Sequence, residues 1–172
     1  VDEALRIMKT DYLDIVHLHS CPVETLQYGE VINSLHKTIE AGKVRAAAYS
    51  GENEALEYSV QSGLFNSVQT SINIFDQKKL EKIIPLAKEK NIGVIGKRPL
   101  GNTPWKFSER PVNHYSETYW ERMKNMQLDF GDQWHETALR FSIFTEGVSS
   151  CITGTKSINH LRENVSHALK GP

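Results

Sequence analysis

The sequence alternates short apolar segments with longer segments in which apolar residues recur every three or four positions. The short segments are rich in β-branched residues and predict strands, whereas the longer ones predict amphipathic helices. Strands are predicted at residues 13–19, 44–50, 67–72, 92–96 and 148–153. Because each predicted strand is followed by a helical segment, the pattern indicates an α/β fold with a parallel sheet.

The helical segments have recognisable ends and faces. Helices are predicted at residues 25–41, 53–62, 117–125, 134–145 and 158–169. One more is predicted to begin at Asp76, a good N-cap residue, and to be kinked or divided at Pro85, whose ring clashes with the carbonyl four residues back. In the last helix, Leu161, Val165 and Leu169 are predicted to form the buried stripe.

Two arrangements fit a repeated strand–helix unit: an open doubly wound sheet and part of a (β/α)8 TIM barrel. A dinucleotide-binding open sheet carries Gly-x-Gly-x-x-Gly after its first strand, and the sequence has no such turn. The predicted strands are instead followed by polar residues, at the end where barrel enzymes place their active sites. These residues are His19, Ser50, Asn73, Lys97 and Thr155.

The number of units decides how much of a barrel to expect. A complete barrel has eight units and about 250 residues, whereas the 172 residues here show five units. We therefore expect the last five βα units of a barrel, with residues 1–172 forming one partial domain whose N-terminal strands are missing. Five strands leave open edges near Ile15 and Ile152, so residues 1–172 alone are expected to self-associate.

Composition excludes several classes of protein. Lys and Arg total 20 against 21 for Asp and Glu, and this balance argues against a nucleic-acid binder. No apolar run approaches the roughly 18 residues needed to cross a bilayer, and the start at Val1 lacks the regions of a signal peptide. Cys21 and Cys151 lack metal-type spacing. We expect a cytoplasmic protein with two reduced thiols, no metal site and no membrane contact.

Five short motifs follow one another over nearly the whole sequence and resemble those of the aldo-keto reductase family. They are D-Y-L-D-I-V-H-L-H at 11–19, G-K-V-R at 42–45 followed by Y-S at 49–50, V-Q-T-S-I-N at 68–73, R-P-L-G at 98–101, and T-G-T-K at 153–156 with His160, Glu163 and Asn164. The resemblance implies a barrel enzyme that reduces aldehyde or ketone carbonyls to alcohols with NADPH, NAD being less favoured.

The resemblance assigns one catalytic residue to this sequence. The family uses a Tyr, an Asp, a Lys and a His, and only the His carries over, onto His19. An imidazole at the end of a strand can donate a hydrogen bond to a carbonyl oxygen and polarise it. The proton-donating Tyr is expected before Val1, so residues 1–172 alone are expected to be inactive. The small-molecule carbonyl substrate and the oligomeric state stay open.

The resemblance also assigns residues that bind the nicotinamide half of the cofactor. Ser50 and Gln69 resemble the side chains that hold the carboxamide, although Gly51 stands where the family usually has Asn. Lys97 stands where many members have a Tyr or Trp stacked on the nicotinamide. An ammonium group over an oxidised nicotinamide is unfavourable, so Lys97 and Arg98 are expected to reach phosphate or substrate oxygens.

Four further residues resemble those around the adenosine half of the cofactor. Lys156 resembles the position near the 2'-phosphate, where a cation favours NADP over NAD by pairing with the additional charge. His160 stands where Gln or Arg is more usual, Glu163 keeps the family acid, and Asn164 is expected to contact adenine.

Two other functions stay open at this point. One is a non-catalytic, nicotinamide-binding regulatory subunit of the same fold. The other is a barrel enzyme of a different kind, in which Lys97, Arg98 and Lys156 bind a phosphorylated substrate without nicotinamide.

Overall fold

The computed structural model describes residues 1–172 and contains five strands and eight α-helices. The strands are β1 (Leu13–His19), β2 (Val44–Ser50), β3 (Ser67–Ser71), β4 (Gly93–Lys97) and β5 (Ser150–Cys151). The helices are α1 (Asp2–Met8), α2 (Val23–Tyr28), α3 (Glu30–Glu40), α4 (Asn53–Ser62), α5 (Ile83–Glu89), α6 (Glu117–Asn125), α7 (Trp134–Phe144) and α8 (Ile158–Leu169). Single-turn 3-10 helices lie at Lys78–Leu80, Pro104–Lys106 and Gly131–Gln133.

The five strands form one parallel sheet whose spatial order is the order of the chain, β1-β2-β3-β4-β5. The register pairs His19 with Ser50, Ser50 with Gln69 and Gly96 with Cys151. The predicted α/β fold is thus confirmed. A doubly wound sheet reverses its strand order at a switch point, and this sheet has no reversal.

The chain divides into two compact units. The first unit contains residues 1–70 and 83–94, and the second contains residues 71–82 and 95–172. Aliphatic side chains fill most of the interior of the first unit, because α3 and α4 pack their apolar stripes on β2. They are Leu26, Ile32, Leu35, Val44, Ala47, Leu56, Val60, Val68, Ile84, Ala87 and Val94.

The second unit has an aromatic interior. The Trp105 and Trp134 rings stack with their centroids 5.3 Å apart, and the Phe75 ring lies 5.6 Å from Trp134 and 6.4 Å from Tyr119. Trp105 and Tyr119 belong to the long segment between β4 and α7. This segment therefore forms part of the core, and its predicted helix at 117–125 is confirmed as α6.

The single helix predicted at residues 25–41 is wrong. The segment forms two helices, α2 and α3, which meet at Gly29. The backbone of Gly29 has φ of +88°, a left-handed conformation that interrupts a right-handed helix and that glycine adopts without steric cost.

The prediction that Asp76 caps a helix is also wrong. The Asp76 carboxylate contacts Lys79 Nζ at 3.2 Å and Arg122 at 3.6 Å instead. A 3-10 turn follows, and α5 begins only at Ile83. Pro85 lies in the first turn of α5, where the missing N–H is tolerated, so α5 continues through the proline and the predicted division at Pro85 is wrong.

The predicted buried stripe of the last helix is wrong as well. Leu161, Val165 and Leu169 are 51%, 49% and 81% exposed, and the buried residue of α8 is Asn164. The helix meets α7 through polar side chains rather than through its leucines, because Asn164 and His167 face α7. The last strand is also shorter than predicted, since only Ser150–Cys151 pairs with β4.

Gly96 of β4 lies directly beside Cys151 of β5. A Cβ atom added to Gly96 would lie 2.7 Å from the Cys151 Sγ, closer than carbon and sulfur approach without a bond. Burial raises the pKa of Cys151 to about 11, and both cysteines are free. The Cys151 thiol is thus a packing group.

None of the helices is long and apolar enough to cross a membrane.

Candidate functional site

In the first unit, the ends of β1 and β2 bring two of the predicted residues side by side. His19 is the last residue of β1 and is exposed, and its register partner is Ser50, the last residue of β2. Ser50 is buried, and its carbonyl accepts a hydrogen bond from the Ser20 N–H at 2.7 Å. The backbone ladder therefore fixes the position of the His19 Cα, while its imidazole stays open to solvent.

Ser50 and Gln69, both predicted to bind cofactor, are hydrogen-bonded to each other. Gln69 Nε2 donates to Ser50 Oγ at 3.3 Å, and the backbone N–H of Gly51 donates to the Gln69 carbonyl at 3.1 Å. This bond leaves the Ser50 hydroxyl proton as a donor and Gln69 Oε1 as an acceptor.

Gly51, which departs from the family pattern, is explained by Tyr49. A Cβ atom at position 51 would lie 2.2 Å from the Tyr49 hydroxyl oxygen and 2.6 Å from the ring. The Tyr49 side chain is buried, and its hydroxyl donates to the carbonyl of Cys21 at 3.1 Å. Burial raises the pKa of Tyr49, with smaller contributions from Cys21 and Glu52. The bulky side chain at 49 thus requires the absence of one at 51.

His17 lies two residues before His19, on the same side of β1. Its ring is half-buried, and Nε2 has no hydrogen-bond partner. Burial lowers the pKa of His17, and the neighbouring charge of His19 adds to this effect. No group of three or more His, Cys, Asp or Glu side chains is placed to hold a metal ion.

In the second unit, a cavity of about 570 Å³ contains four of the predicted cofactor residues: Lys97, Arg98, His160 and Asn164. Lys106 and His135 also line it, whereas no Asp or Glu does. Aromatic and small polar groups complete its wall, among them Trp105 and Tyr115. The cavity is therefore suited to an anionic ligand that carries planar rings.

The segment that begins at Arg98 follows an unusual backbone path. Arg98, Gly101, Asn102 and Thr103 all have φ between +52° and +61°, a conformation that is costly for residues with a Cβ. Side-chain hydrogen bonds hold this path. The Arg98 guanidinium donates to Ser71 Oγ at 3.1 Å, and the Asn102 amide donates to the Tyr115 carbonyl at 3.0 Å.

Like Gly51, Gly101 lies against an aromatic ring that leaves no room for a Cβ atom. A Cβ atom at position 101 would lie 2.5 Å from the Phe75 ring. The backbone carbonyl of Phe75 accepts a hydrogen bond from the Arg122 guanidinium at 3.3 Å. The turn after β4 is thereby packed directly on the aromatic core.

Asn164 is hydrogen-bonded on both sides of its carboxamide. His135 Nε2 lies 2.6 Å from Asn164 Oδ1, and Asn164 Nδ2 donates to Thr153 Oγ1 at 3.3 Å. His135, in the first turn of α7, is a site residue that the sequence analysis missed. No motif identifies it, because its partner lies 29 positions away in the chain.

Lys156 and Glu163 do not line the cavity. Lys156 is exposed, in the turn before α8. Glu163 is exposed too, and its carboxylate lies 3.6 Å from His135 Nδ1 and 3.7 Å from His167 Nε2. The structure thus groups four of the six cofactor residues predicted in this unit and leaves these two at its surface.

Known proteins resemble this chain over nearly all of its length. The family model described as the Aldo/keto reductase family matches residues 1–170. A curated relative, an uncharacterized oxidoreductase of Bacillus subtilis (strain 168), is 26% identical over 184 residues, covering 98% of this chain and 58% of the relative. The chain thus spans little more than half of that relative's length.

Solved structures show the same fold. An aldo-keto reductase from Bacillus halodurans, in its holo form, matches with a TM-score of 0.77 and 21% identity, covering 96% of this chain and 58% of that one. An aldo/keto reductase from Klebsiella pneumoniae, in complex with NADP and acetate, matches with a TM-score of 0.64 and 17% identity, covering 96% and 56%. The predicted fold class, five units of a (β/α)8 barrel, is confirmed.

Proposed function

Since this chain belongs to the aldo/keto reductase family, as its motifs predicted, we propose that it is part of an oxidoreductase that reduces aldehyde or ketone carbonyls to alcohols with NADPH. We also propose that residues 1–172 are a partial barrel domain, completed by strands that precede Val1. The second proposal is supported by the 58% coverage of the relatives. The first is carried by one observation, the cavity in the second unit with its basic lining.

The cavity fits an anionic dinucleotide in size and in charge. Its volume of about 570 Å³ lies within the range of about 300–1,000 Å³ that is usual for ligand sites. Lys97, Arg98 and Lys106 supply cationic side chains, and no carboxylate lines the cavity to oppose a phosphate. NADPH carries phosphates and planar rings, so its chemistry matches both the basic and the aromatic parts of the lining.

Within the second unit, we propose that Lys97 and Arg98 bind phosphate or substrate oxygens and that Asn164 contacts adenine. His160 lines the same cavity and adds a donor to it. For Lys156 and Glu163, at the surface, we propose contacts with the adenosine end, Lys156 meeting the 2'-phosphate. The NADP in the Klebsiella structure supports this preference for NADPH.

Within the first unit, the hydrogen bond between Gln69 and Ser50 leaves one donor and one acceptor available. A carboxamide offers one acceptor oxygen and two N–H donors, so the pair is complementary to it, and we propose that it orients the nicotinamide. When bound, the nicotinamide supplies a hydride to the carbonyl carbon. His19 donates a hydrogen bond to the carbonyl oxygen and stabilises the negative charge that develops there.

The cofactor proposal is tested by titrating the full-length protein with NADPH and following its fluorescence. Lys156→Ala should weaken NADPH binding about tenfold to a hundredfold and leave NADH binding almost unchanged, since one charge-assisted contact is lost. Lys124→Ala is the control, because it removes the same charge from α6, where Lys124 lies over the Trp120 ring. Equal losses for both cofactors would mean that Lys156 does not meet the 2'-phosphate.

Binding and turnover assays on the same full-length protein distinguish the proposed function from the two alternatives. NADPH binding without reduction of any aldehyde or ketone would indicate a nicotinamide-binding regulatory subunit. Turnover of a phosphorylated substrate with no nicotinamide would contradict the proposal outright. We further propose a cytoplasmic location, which the two free cysteines support.

A further inference from the structure

We propose that Trp105 is a binding residue of the cavity in the second unit, and that a planar ring of the bound dinucleotide stacks on the indole face opposite Trp134. This inference rests on the proposed function, because the ligand it concerns is NADPH. Trp105 lies in the segment between β4 and α7, outside the motifs that indicate the family.

The argument starts from the different burial of two stacked rings. Trp105 is half-buried and lines the cavity, whereas Trp134 is buried and does not line it. The two rings are almost parallel, with 5° between their planes and 5.3 Å between their centroids. Trp134 thus covers one face of the Trp105 ring. The part of Trp105 that lines the cavity is therefore not the face on which Trp134 lies.

The position of Phe75 shows that it does not occupy the second face of Trp105. The Phe75 centroid lies 6.4 Å from Trp105 and 5.6 Å from Trp134. A ring on the second face would lie about twice as far from Trp134 as Trp105 does, because the spacings within a stack add. Phe75 therefore lies beside the stacked pair, and the second face of Trp105 is left for a ligand.

The backbone around Trp105 is fixed as well. Trp105 is the middle residue of the 3-10 turn Pro104–Lys106, in which Pro104 is buried. The N–H groups of Lys106 and Phe107 donate to the carbonyls of Thr103 and Pro104, both at 3.2 Å. A ring that is held by its own turn and by a stacked neighbour loses little conformational freedom when a ligand binds, so more of the contact energy remains as affinity.

The surroundings of Trp105 match the chemistry of a nucleotide. Lys106, the next residue of the turn, lines the same cavity, as do Lys97 and Arg98. Cationic side chains pair with phosphate oxygens, and bases stack on aromatic side chains because every base has a π-face. A nucleotide carries both groups in one molecule. NADPH offers two planar rings, adenine and nicotinamide, and the experiments below separate them.

The first readout is the fluorine NMR spectrum of full-length protein that contains fluorotryptophan. The Trp105 signal, assigned by its loss in Trp105→Phe, should shift when 2',5'-ADP or nicotinamide mononucleotide is added, and the larger shift identifies the ring that stacks. Pyrophosphate, which has no ring, should shift it much less. Trp120 does not line the cavity, so its signal is the control and should not move. Equal shifts with pyrophosphate and with both nucleotides would overturn the proposal.

The second readout is affinity. Trp105→Leu should weaken NADPH binding about tenfold, the usual effect of losing one stacked base, and Trp105→Phe should weaken it less, because a planar ring remains. Both variants should bind pyrophosphate as the unaltered protein does, since the cationic side chains stay. An equal loss of pyrophosphate affinity would show that Trp105 supports the cavity and not the ring, and would overturn the proposal. Trp120→Leu is the matched control and should keep the NADPH affinity.

The outcomes distinguish this inference from the proposed function. If NADPH binds and the Trp105 signal does not respond, the inference fails and the proposed function stands. If NADPH does not bind but either mononucleotide shifts the Trp105 signal, the proposed function fails and the role of Trp105 stands. If none of the three binds, both fail. Should Trp105→Leu not fold, Trp105→Phe and the fluorine spectrum of the unaltered protein still decide.

Discussion

The two units hold their candidate site residues by different means. In the first unit, His19 and Ser50 are the last residues of their strands, Gln69 lies in the middle of β3, and the backbone ladder positions all three. In the second unit, Arg98 and Asn164 are positioned by side-chain hydrogen bonds to Ser71, His135 and Thr153. A site of the first kind depends on sheet register, whereas a site of the second kind depends on individual side chains.

The largest expected effect concerns the aromatic core of the second unit, since the interior of the first unit is mainly aliphatic. Trp134→Ala removes the ring that packs against Phe75, Trp105 and Phe130, and we expect a loss of about 3–5 kcal/mol in the free energy of unfolding. Urea denaturation followed by circular dichroism measures it. Trp120→Ala, which removes a partly buried Trp, should cost less. Equal losses would show that the stacking of Trp134 on Trp105 adds nothing to the free energy of unfolding beyond the burial of a tryptophan.

Next in size is an effect on catalysis from the first unit. His19→Ala in the full-length protein should lower turnover by about 10²-fold or more, because a donor to the developing oxyanion is removed. NADPH affinity should hardly change, in contrast to Lys156→Ala, which changes affinity. Steady-state kinetics together with NADPH titration separate the two. Unaltered turnover would remove His19 from the catalytic residues.

A smaller effect distinguishes the two glycines that lie under aromatic rings. Gly51→Ala meets Tyr49 and Gly101→Ala meets Phe75, and each clash should cost about 1–3 kcal/mol of stability. Position 101 also has φ of +52°, which is unfavourable for alanine. Tyr49→Leu should therefore rescue Gly51→Ala more fully than Phe75→Leu rescues Gly101→Ala. Thermal unfolding of the single and double variants tests this, and equal rescue would contradict it.

The smallest expected effect is a pH dependence of stability in the first unit. Burial lowers the pKa of His17 in the folded chain, so below about pH 6.5 the unfolded chain binds the proton more readily. The free energy of unfolding should then fall as the pH drops from 7.5 to 5.5. His17→Leu should show a smaller fall, measured by urea denaturation at each pH. An unchanged slope would mean that His17 titrates alike in both states.

Periodicity predicted element bounds in both units, since α6 and α8 of the second unit also agree to the residue, but it did not predict contacts between residues distant in the chain. The bounds of β1, β2 and α4 agree with the sequence analysis to the residue, because alternating apolar patterns and the terminal Gly63 record them locally. The break between α2 and α3 at Gly29 was not predicted, because the helical spacing of apolar residues continues through it. In the second unit, nothing local indicates that Asp76 pairs with Arg122, or that α8 packs through Asn164 instead of Leu161.

The candidate site shows the same difference between residues that a local motif identifies and contacts that join distant parts of the chain. The resemblance to a family predicted His19, Ser50 and Gln69, of which His19 and Ser50 are strand-end residues and Gln69 lies within β3, paired with Ser50. Lys97, Arg98, His160 and Asn164 line one cavity, whereas Lys156 and Glu163 do not. The position of Glu163 beside His135, outside that lining, depends on how α7 and α8 meet. Such a contact joins residues far apart in the chain, so single-sequence reasoning could not supply it.

The contact between Gly96 and Cys151 has a consequence for how this protein can evolve. The Cys151 sulfur fills the space that a side chain at 96 would need, so the two neighbouring strands share one volume. A relative with alanine or a larger residue at 96 therefore needs a residue smaller than cysteine at 151. Aligned family members should therefore show these two columns changing together, with a small residue always present in at least one of them.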